Sequence, residues 1–364
     1  MRLRILLINP WIYDFAAVNL WSKPLGLLKV AEYLSQFDVE LSLIDCMDVF
    51  KTKKYGTGKY PKEIVKKPEC LKTIPRRFGR HGIGIDDFRT VLNQKSPFDL
   101  VFITSIMSYW YPGVQKAVEI IRSISKDVPI VLGGIYATLW HQHASDTSGA
   151  DIIYKEHINE NIKFVLKTFG FRISGRKLGR IIPYYKLGLY NHYPFAPILT
   201  SMGCPYNCAY CGSKILNDGF FQREAHDVIT EIKELHDKGI KDFAFYDDAL
   251  LANADSHIKV ILREIIADGL NLRFHCPNGL HARFIDDELA YLMKNSGFKT
   301  LRLSLETVDE QRQKETGGKV SNEDLINAIN ALKRYGFTKN DIGVYLMYGL
   351  LGQSLEEVKM ASSS

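Results

Sequence analysis

The run Ser201-Met202-Gly203-Cys204-Pro205-Tyr206-Asn207-Cys208-Ala209-Tyr210-Cys211-Gly212-Ser213 places three cysteines within eight residues. Thiolates this close in sequence can converge on one inorganic centre, and such spacing belongs to iron–sulfur or zinc chemistry. A closed site takes four protein ligands, and this loop offers three. A cubane held by three thiolates leaves one iron open to a small molecule. A zinc knuckle would instead draw a fourth ligand from elsewhere in the chain, for instance Cys276 or His275.

The chain around the loop alternates strand and helix patterns. Strands are expected at Ile198–Met202, Asp242–Tyr246, Leu272–Cys276, Thr300–Leu305 and Ile342–Tyr348. Between them lie apolar stripes at helical spacing, such as Val228, Ile229, Ile232 and Leu235. The helices end at Gly239, Gly269, Gly297 and Gly336, and capping boxes are expected at Ser321–Asp324 and Ser354–Glu357. Repeated units of this length argue for a partial (β/α) barrel over 198–364. Only five strand–helix units are present; a barrel of the radical S-adenosylmethionine type, which the cysteine loop resembles, implies six, so on that resemblance a sixth strand is missing and the domain reads as C-terminally truncated. Barrel sheets place function on the loops after their strands. The Cys loop, Asp247-Asp248, His275-Cys276, Ser304 with Glu306, and Gly349 with Gly352 all fall there.

Residues 1–170 read as a doubly wound parallel sheet. Strands are expected at Leu3–Ile8, Val39–Asp45, Asp99–Ser105, Pro129–Leu132 and Asp151–Tyr154, and helical stripes at Leu25–Leu34, Val114–Ile124 and Ile162–Phe169. Ligands in such sheets sit beyond the C-terminal strand ends. Three loops occupy that edge, Asn9–Lys23, Ser105–Gly113 and Gly133–Thr138. The Gly133-Gly134 pair allows close approach of backbone to a bulky ligand, although such a pair also serves as a plain tight turn. The segment from about Phe171 to Pro197 has no clear period and reads as a linker.

A basic insertion spans 49–95. Between Lys51 and Arg80 there are eleven Lys/Arg against Glu63 and Glu69, a local charge of +9 in a chain of +6. Glycines and prolines break the segment up, which suits an irregular, solvated excursion rather than a nucleic-acid site. Hydrophobic residues are 46% and charged residues 24%, as in globular proteins with sizeable cores. No apolar run reaches the ~18 residues of a membrane helix, and the basic start followed by a short apolar stretch reads as a first strand rather than a signal peptide. A cytoplasmic location follows, and the other cysteines, Cys46, Cys70 and Cys276, form no disulfide framework.

The Cys-x3-Cys-x2-Cys pattern with Tyr210 before its last cysteine resembles the radical S-adenosylmethionine (SAM) superfamily. The resemblance implies a four-iron four-sulfur cluster on Cys204, Cys208 and Cys211, with SAM chelated at the open iron and cleaved to a 5′-deoxyadenosyl radical. It places Asp247 and Asp248 at the methionyl amino group, and Ser304 and Glu306 at ribose or the methionyl end. Tyr210 flanks the adenine, and Gly212 is counted among the cofactor-binding residues. Solvated turns or salt bridges are the alternatives for these acids. The strand and loop Val131–Thr138, with Pro24–Leu28, are similar to cobalamin-binding domains, which precede the radical SAM domain in one branch of the superfamily.

That branch implies cobalamin near Gly133 and Gly134, with Trp110 and Tyr111 among aromatic residues that either wall a corrin ring or close a domain interface. Residues 9–26 contain Asp14 but none of the histidine that many cobalamin domains use as lower axial ligand. The implied function is cobalamin-dependent methyl transfer to an unactivated carbon. Radical rearrangement or cyclisation with the same cofactors is an alternative, as is a non-catalytic zinc or nucleic-acid-binding protein. The implied partners are a small-molecule or peptide substrate and an electron donor such as flavodoxin or ferredoxin; a membrane or nucleic acid is not expected.

Overall fold

The computed structural model describes residues 2–155, 161–175, 187–191 and 194–363. The chain divides into two compact units, Met1–Tyr193 and Pro194–Ser364.

In the first unit five parallel strands form one sheet: Leu3–Asn9, Val39–Asp45, Leu100–Ser105, Ile130–Gly134 and Ile152–Ile153. Their spatial order is second, first, third, fourth, fifth. The chain reverses its winding between the first and third strands, so the crevice outside Asn9 and Ser105 is the topological switch point. These strands are apolar on both faces because both are covered. Leu6, Ile8, Val101 and Ile103 pack against the helices Ile85–Gln94 and Tyr111–Ile124 through Phe88, Leu92, Val114 and Val118. Ile5 and Leu7 alternate onto the other face and are equally buried, as are Leu28 and Ala31 of the helix Leu25–Leu34.

Residues 49–95 are not an irregular excursion. Lys62–Ile64 and Gly79–His81 pair antiparallel and continue onto Ile12–Asp14. Lys51–Thr52 and Gly58–Lys59 pair with Val18–Asn19 in a second small sheet. The expected loop after the first strand therefore carries two short strands. The Gly and Pro residues punctuate hairpins here, and the helix Ile85–Gln94 supplies the buried Phe88 and Leu92.

The second unit contains a six-stranded parallel sheet. Its strands are Ala196–Ile198, Asp242–Phe245, Arg273–His275, Leu280–His281, Phe298–Glu306 and Ile342–Leu346. The strand Leu280–His281 was not expected from the sequence. It is a two-residue addition beside Leu303 and Ser304, not a sixth strand–helix unit. The first strand starts at Ala196, inside the stretch read as linker, and stops at Ile198. Ser201–Met202 leaves the sheet and pairs antiparallel with Phe221–Gln222. Ser321 and Asp324 make the expected capping box. Ser354 caps only one way: its hydroxyl accepts from Glu357 N, while the Glu357 carboxylate turns to Arg312 and Thr307.

The two faces of this sheet differ in chemistry. Phe243, Phe245, Phe274 and Phe298 stack with centroids 5.1 to 6.0 Å apart on one face. On the other, His275 is wholly buried and bonded to Thr300 and Asp242, each at 3.0 Å. Period-two alternation carries Arg302 and Ser304 onto this same polar face.

Candidate active site

The cysteine loop springs from Ser201–Met202 and ends at the short helix Ser213–Leu216. Gly203 opens it with φ +72°, and a Cβ there would lie 1.9 Å from the Gly219 carbonyl oxygen. No side chain fits such an approach, so the loop needs glycine at this position. Downstream, Ala209 N donates to Thr316 O at 3.0 Å and Cys211 N donates to Cys208 O at 3.1 Å. Ser213 N points at Cys211 Sγ, 3.5 Å away. All three cysteines are free thiols; Cys204 and Cys208 are half-buried and Cys211 is exposed. Burial, followed by the neighbouring Asp248, Cys211 and Cys208, pushes the Cys204 thiol up. A bound cation would reverse that and release the proton.

The donor set suits a cluster better than a zinc ion. A tetrahedral zinc site with Zn–S near 2.3 Å brings sulfurs within roughly 4 Å of one another. Among the described residues, only Asp255, Asp286 and Glu288 form a His/Cys/Asp/Glu trio with ligand atoms within 4.8 Å. Lys259 Nζ fills that trio, at 2.7, 2.7 and 3.1 Å from its carboxylates. The candidate fourth zinc ligands are also committed. Both ring nitrogens of His275 are engaged, and Cys276 is a buried thiol that burial and Asp247 push far up.

Asp247 turns inward. It is 3% exposed, and its Oδ1 accepts from Thr200 N, Thr200 Oγ1, Ser201 N and Ser201 Oγ at 2.6 to 3.0 Å. Burial raises its pKa, against the pull of these donors. The acid expected at the methionyl amino group thus anchors the base of the cysteine loop. Asp248 is exposed beside the loop, and its Oδ2 accepts from Ser213 Oγ at 2.6 Å. Gly212 is the residue before the short helix, and its carbonyl accepts from Ile215 N and Leu216 N.

Tyr210 is half-buried. Burial pushes its hydroxyl up, and the Glu306 carboxylate and Cys208 thiol add to the shift. Ser304 is buried, and Glu306 follows a register shift with φ +69°, a conformation costly for a non-glycine residue. Lys319 joins the two, with Nζ 2.9 Å from Ser304 Oγ and 3.4 Å from Glu306 Oε1. Sequence reading missed Lys319; the Gly317-Gly318 turn before it was the available signal. His281 was also missed. It lies in register with Ser304, and its ring sits 4.7 Å from that of Tyr206 in the cysteine loop.

In the first unit the switch point holds an open depression lined by Asn9, Ile12, Met47, Tyr60, Ser105 and Trp110, among others. Trp110 Nε1 donates to Asp14 Oδ2 at 3.1 Å. Gly134 has φ +92°, and a Cβ there would lie 2.7 Å from both Ser105 O and Thr104 Oγ1. Gly133 is half-buried below Tyr154 O. Tyr111 turns away from the depression and packs on Tyr136 and His143, centroids 6.0 and 4.8 Å away. Trp11 and Trp21 are core residues that donate to Ile83 O and Tyr55 O.

The second unit is a parallel strand–helix sheet with three free thiols on the loop after its first strand, and the family match falls on this unit. Residues 198–362 match the Radical SAM superfamily, whose members use a four-iron four-sulfur cluster and SAM. An uncharacterized methyltransferase, PH0819 of Pyrococcus horikoshii, is 24% identical over 305 residues, 75% of this chain and 65% of that protein. The ribosomal protein uS12 methylthiotransferase RimO of Clostridium botulinum is 24% identical over 150 residues, 38% of this chain and 33% of that one. This chain therefore spans at most about two thirds of the length of those relatives.

Among solved structures, the radical SAM methyltransferase TsrM of Kitasatospora setae, with cobalamin and a [4Fe-4S] cluster bound, has a similar fold. The TM-score is 0.69 at 17% identity, covering 100% of this chain and 72% of that one. The cobalamin-dependent radical SAM enzyme OxsB with aqua-cobalamin gives 0.60 at 13% identity, over 100% and 52%. Among the described residues no helix is long and apolar enough to cross a membrane.

Proposed function

We propose that this chain is a cobalamin-dependent radical SAM methyltransferase acting on an unactivated carbon, with Cys204, Cys208 and Cys211 as the cluster ligands. The observation that carries the reading is the set of polar side chains gathered around three unpaired thiols: Asp248 through Ser213, Tyr210, and the Ser304–Lys319–Glu306 group. When bound, the cluster supplies the electron that cleaves SAM, and cobalamin supplies a methyl carrier.

The protein's own part is placement. SAM presents an ammonium, a carboxylate, a ribose diol and an adenine. The Asp248 carboxylate suits the ammonium, and the Lys319 ammonium suits the carboxylate. Ser304 and Glu306 suit the ribose hydroxyls, and the Tyr210 ring gives the adenine an apolar wall. Asp247 holds the loop base so that these groups keep their spacing. In the first unit, Gly134 lets its strand end pack closely on Ser105 and Thr104, and Trp110, Tyr60 and Met47 are among the residues that line the depression at the switch point. Among the described residues no histidine or cysteine lines the depression, so a corrin there would be held by shape and stacking. The electron would come from a small low-potential carrier such as flavodoxin or ferredoxin.

Anaerobic reconstitution with iron, sulfide and cobalamin tests the reading. A brown protein that retains cobalamin and forms 5′-deoxyadenosine from SAM and a reductant is expected. Deoxyadenosine without cobalamin retention would remove the methyl-transfer half.

A further inference from the structure

Resting on the reading above, we propose that Arg302 forms a carboxylate-binding subsite on the polar face of the second sheet, and that its ligand is the carboxylate of the methyl-accepting substrate.

Arg302 sits mid-strand in Phe298–Glu306. Leu301, Leu303 and Leu305 alternate into the core, which sends Thr300, Arg302 and Ser304 to the polar face. Thr300 is closed off by His275, and Ser304 is taken by Lys319. Arg302 lies half-buried between these two occupied layers. Its neighbour in register on the next strand is Gly343. A Cβ at Gly343 would come within 3.0 Å of Arg302 Cδ and Nη1, so the guanidinium lies over bare backbone. The missing side chain makes room for the charged group.

Nothing among the described residues neutralises that group. Its Nη1 donates to Leu301 O at 2.9 Å, and the Tyr345 phenol lies close enough to interact with it. The Tyr345 hydroxyl itself donates to Pro277 O at 2.6 Å, which holds the phenol in place. Among the described residues no carboxylate lies within 4 Å of the guanidinium. The other cations on this face are paired, Lys319 with Glu306 and Arg273 with Asp242. The Asp247 Oδ1 is engaged by Thr200 and Ser201.

A guanidinium carries five donors in a planar fork that matches a carboxylate. Half-buried, pre-placed and unpaired, it is built to receive one. Two molecules at this site can bring a carboxylate, the substrate and SAM. Lys319 already stands at the strand end beside Ser304 and Glu306, whereas Arg302 lies two residues deeper, which favours the substrate.

The test uses the anaerobically reconstituted full chain. Acetate, phenylacetate, indole-3-acetate and L-tryptophan are each compared with their primary amides by equilibrium dialysis, and SAM affinity is read on the same samples. The expected result is a preference of about tenfold or more for acid over amide in at least one pair. The preference should vanish in Arg302→Gln and return in part in Arg302→Lys. Gly343→Ala, which keeps the charge but crowds the fork, should reduce it. No acid preference in the wild type overturns the proposal. So does a preference that survives Arg302→Gln. A loss of SAM affinity in Arg302→Gln as large as the loss of probe affinity assigns the guanidinium to SAM and overturns the substrate assignment. Acid preference without any deoxyadenosine formation would instead leave this subsite standing and remove the radical reading.

Discussion

The Asp247 carboxylate holds Ser201 twice, by its backbone nitrogen at 2.6 Å and by its hydroxyl at 2.7 Å. Ser201 stands three residues before Cys204, so one buried acid on the second strand's loop sets where the cysteine loop begins. This is a positioning role. It couples the geometry of the thiols to the interior of the sheet.

Asp247→Asn keeps the shape but replaces one accepting oxygen by a donor that faces other donors. The expected cost is about 2–4 kcal/mol of unfolding free energy, with iron per chain reduced by at least half after reconstitution. Urea unfolding and iron analysis check both. A variant with wild-type stability and wild-type iron would mean the carboxylate does not govern the loop.

Lys319→Gln removes the cation beside Ser304 and Glu306. If it meets the SAM carboxylate, SAM binding should weaken by roughly 10- to 100-fold, the worth of one charge-assisted hydrogen bond. Equilibrium binding of SAM to the reconstituted protein measures this. Unaltered SAM affinity would confine Lys319 to its ion pair with Glu306.

His281 provides a pH test. Burial, then the positive charges of Lys319 and Arg283, push its pKa down to about 3, while an unfolded imidazole titrates near 6.5. Below about pH 6.5 the unfolded chain therefore binds a proton that the folded chain does not. The stability this group contributes is present above that pH and is lost as pH falls towards 3. From pH 7.5 to 5.5 the wild type should lose roughly 1.4 kcal/mol more than His281→Gln. Denaturant curves at the two pH values measure it, and parallel losses would place a titrating, solvated imidazole at this position.

Gly134→Ala forces a side chain into a backbone at φ +92° and against Ser105 O and Thr104 Oγ1. A destabilisation of about 1–3 kcal/mol is expected, together with loss of cobalamin retention after gel filtration. Retention equal to wild type would put the corrin elsewhere.

Much of the first sheet was legible because its strands are short apolar runs between helical stripes, and Val39–Asp45 was read with its observed limits. The insertion was not. Gly and Pro read in sequence as breakers of structure, whereas Gly58 and Gly79 sit in paired strands, where the neighbouring strand's backbone approaches too closely for a side chain. In the second unit the loops carrying the chemistry could be named from strand ends. Which acid faces outward could not, because Asp247 and Asp248 are adjacent in sequence and only burial separates them. Lys319 and Arg302 escaped notice because nothing local marks a lysine that reaches across a turn, or an arginine whose space is provided by a glycine on another strand.

In the proposed function Cys204, Cys208 and Cys211 hold an iron–sulfur cluster open to SAM. The most direct measurement is electron paramagnetic resonance of the reduced, reconstituted protein with and without SAM, beside the triple alanine variant of those cysteines. The expected result is a cluster signal that changes when SAM is added and is absent from the variant. A signal indifferent to SAM, or iron content that survives the loss of all three thiols, would contradict it.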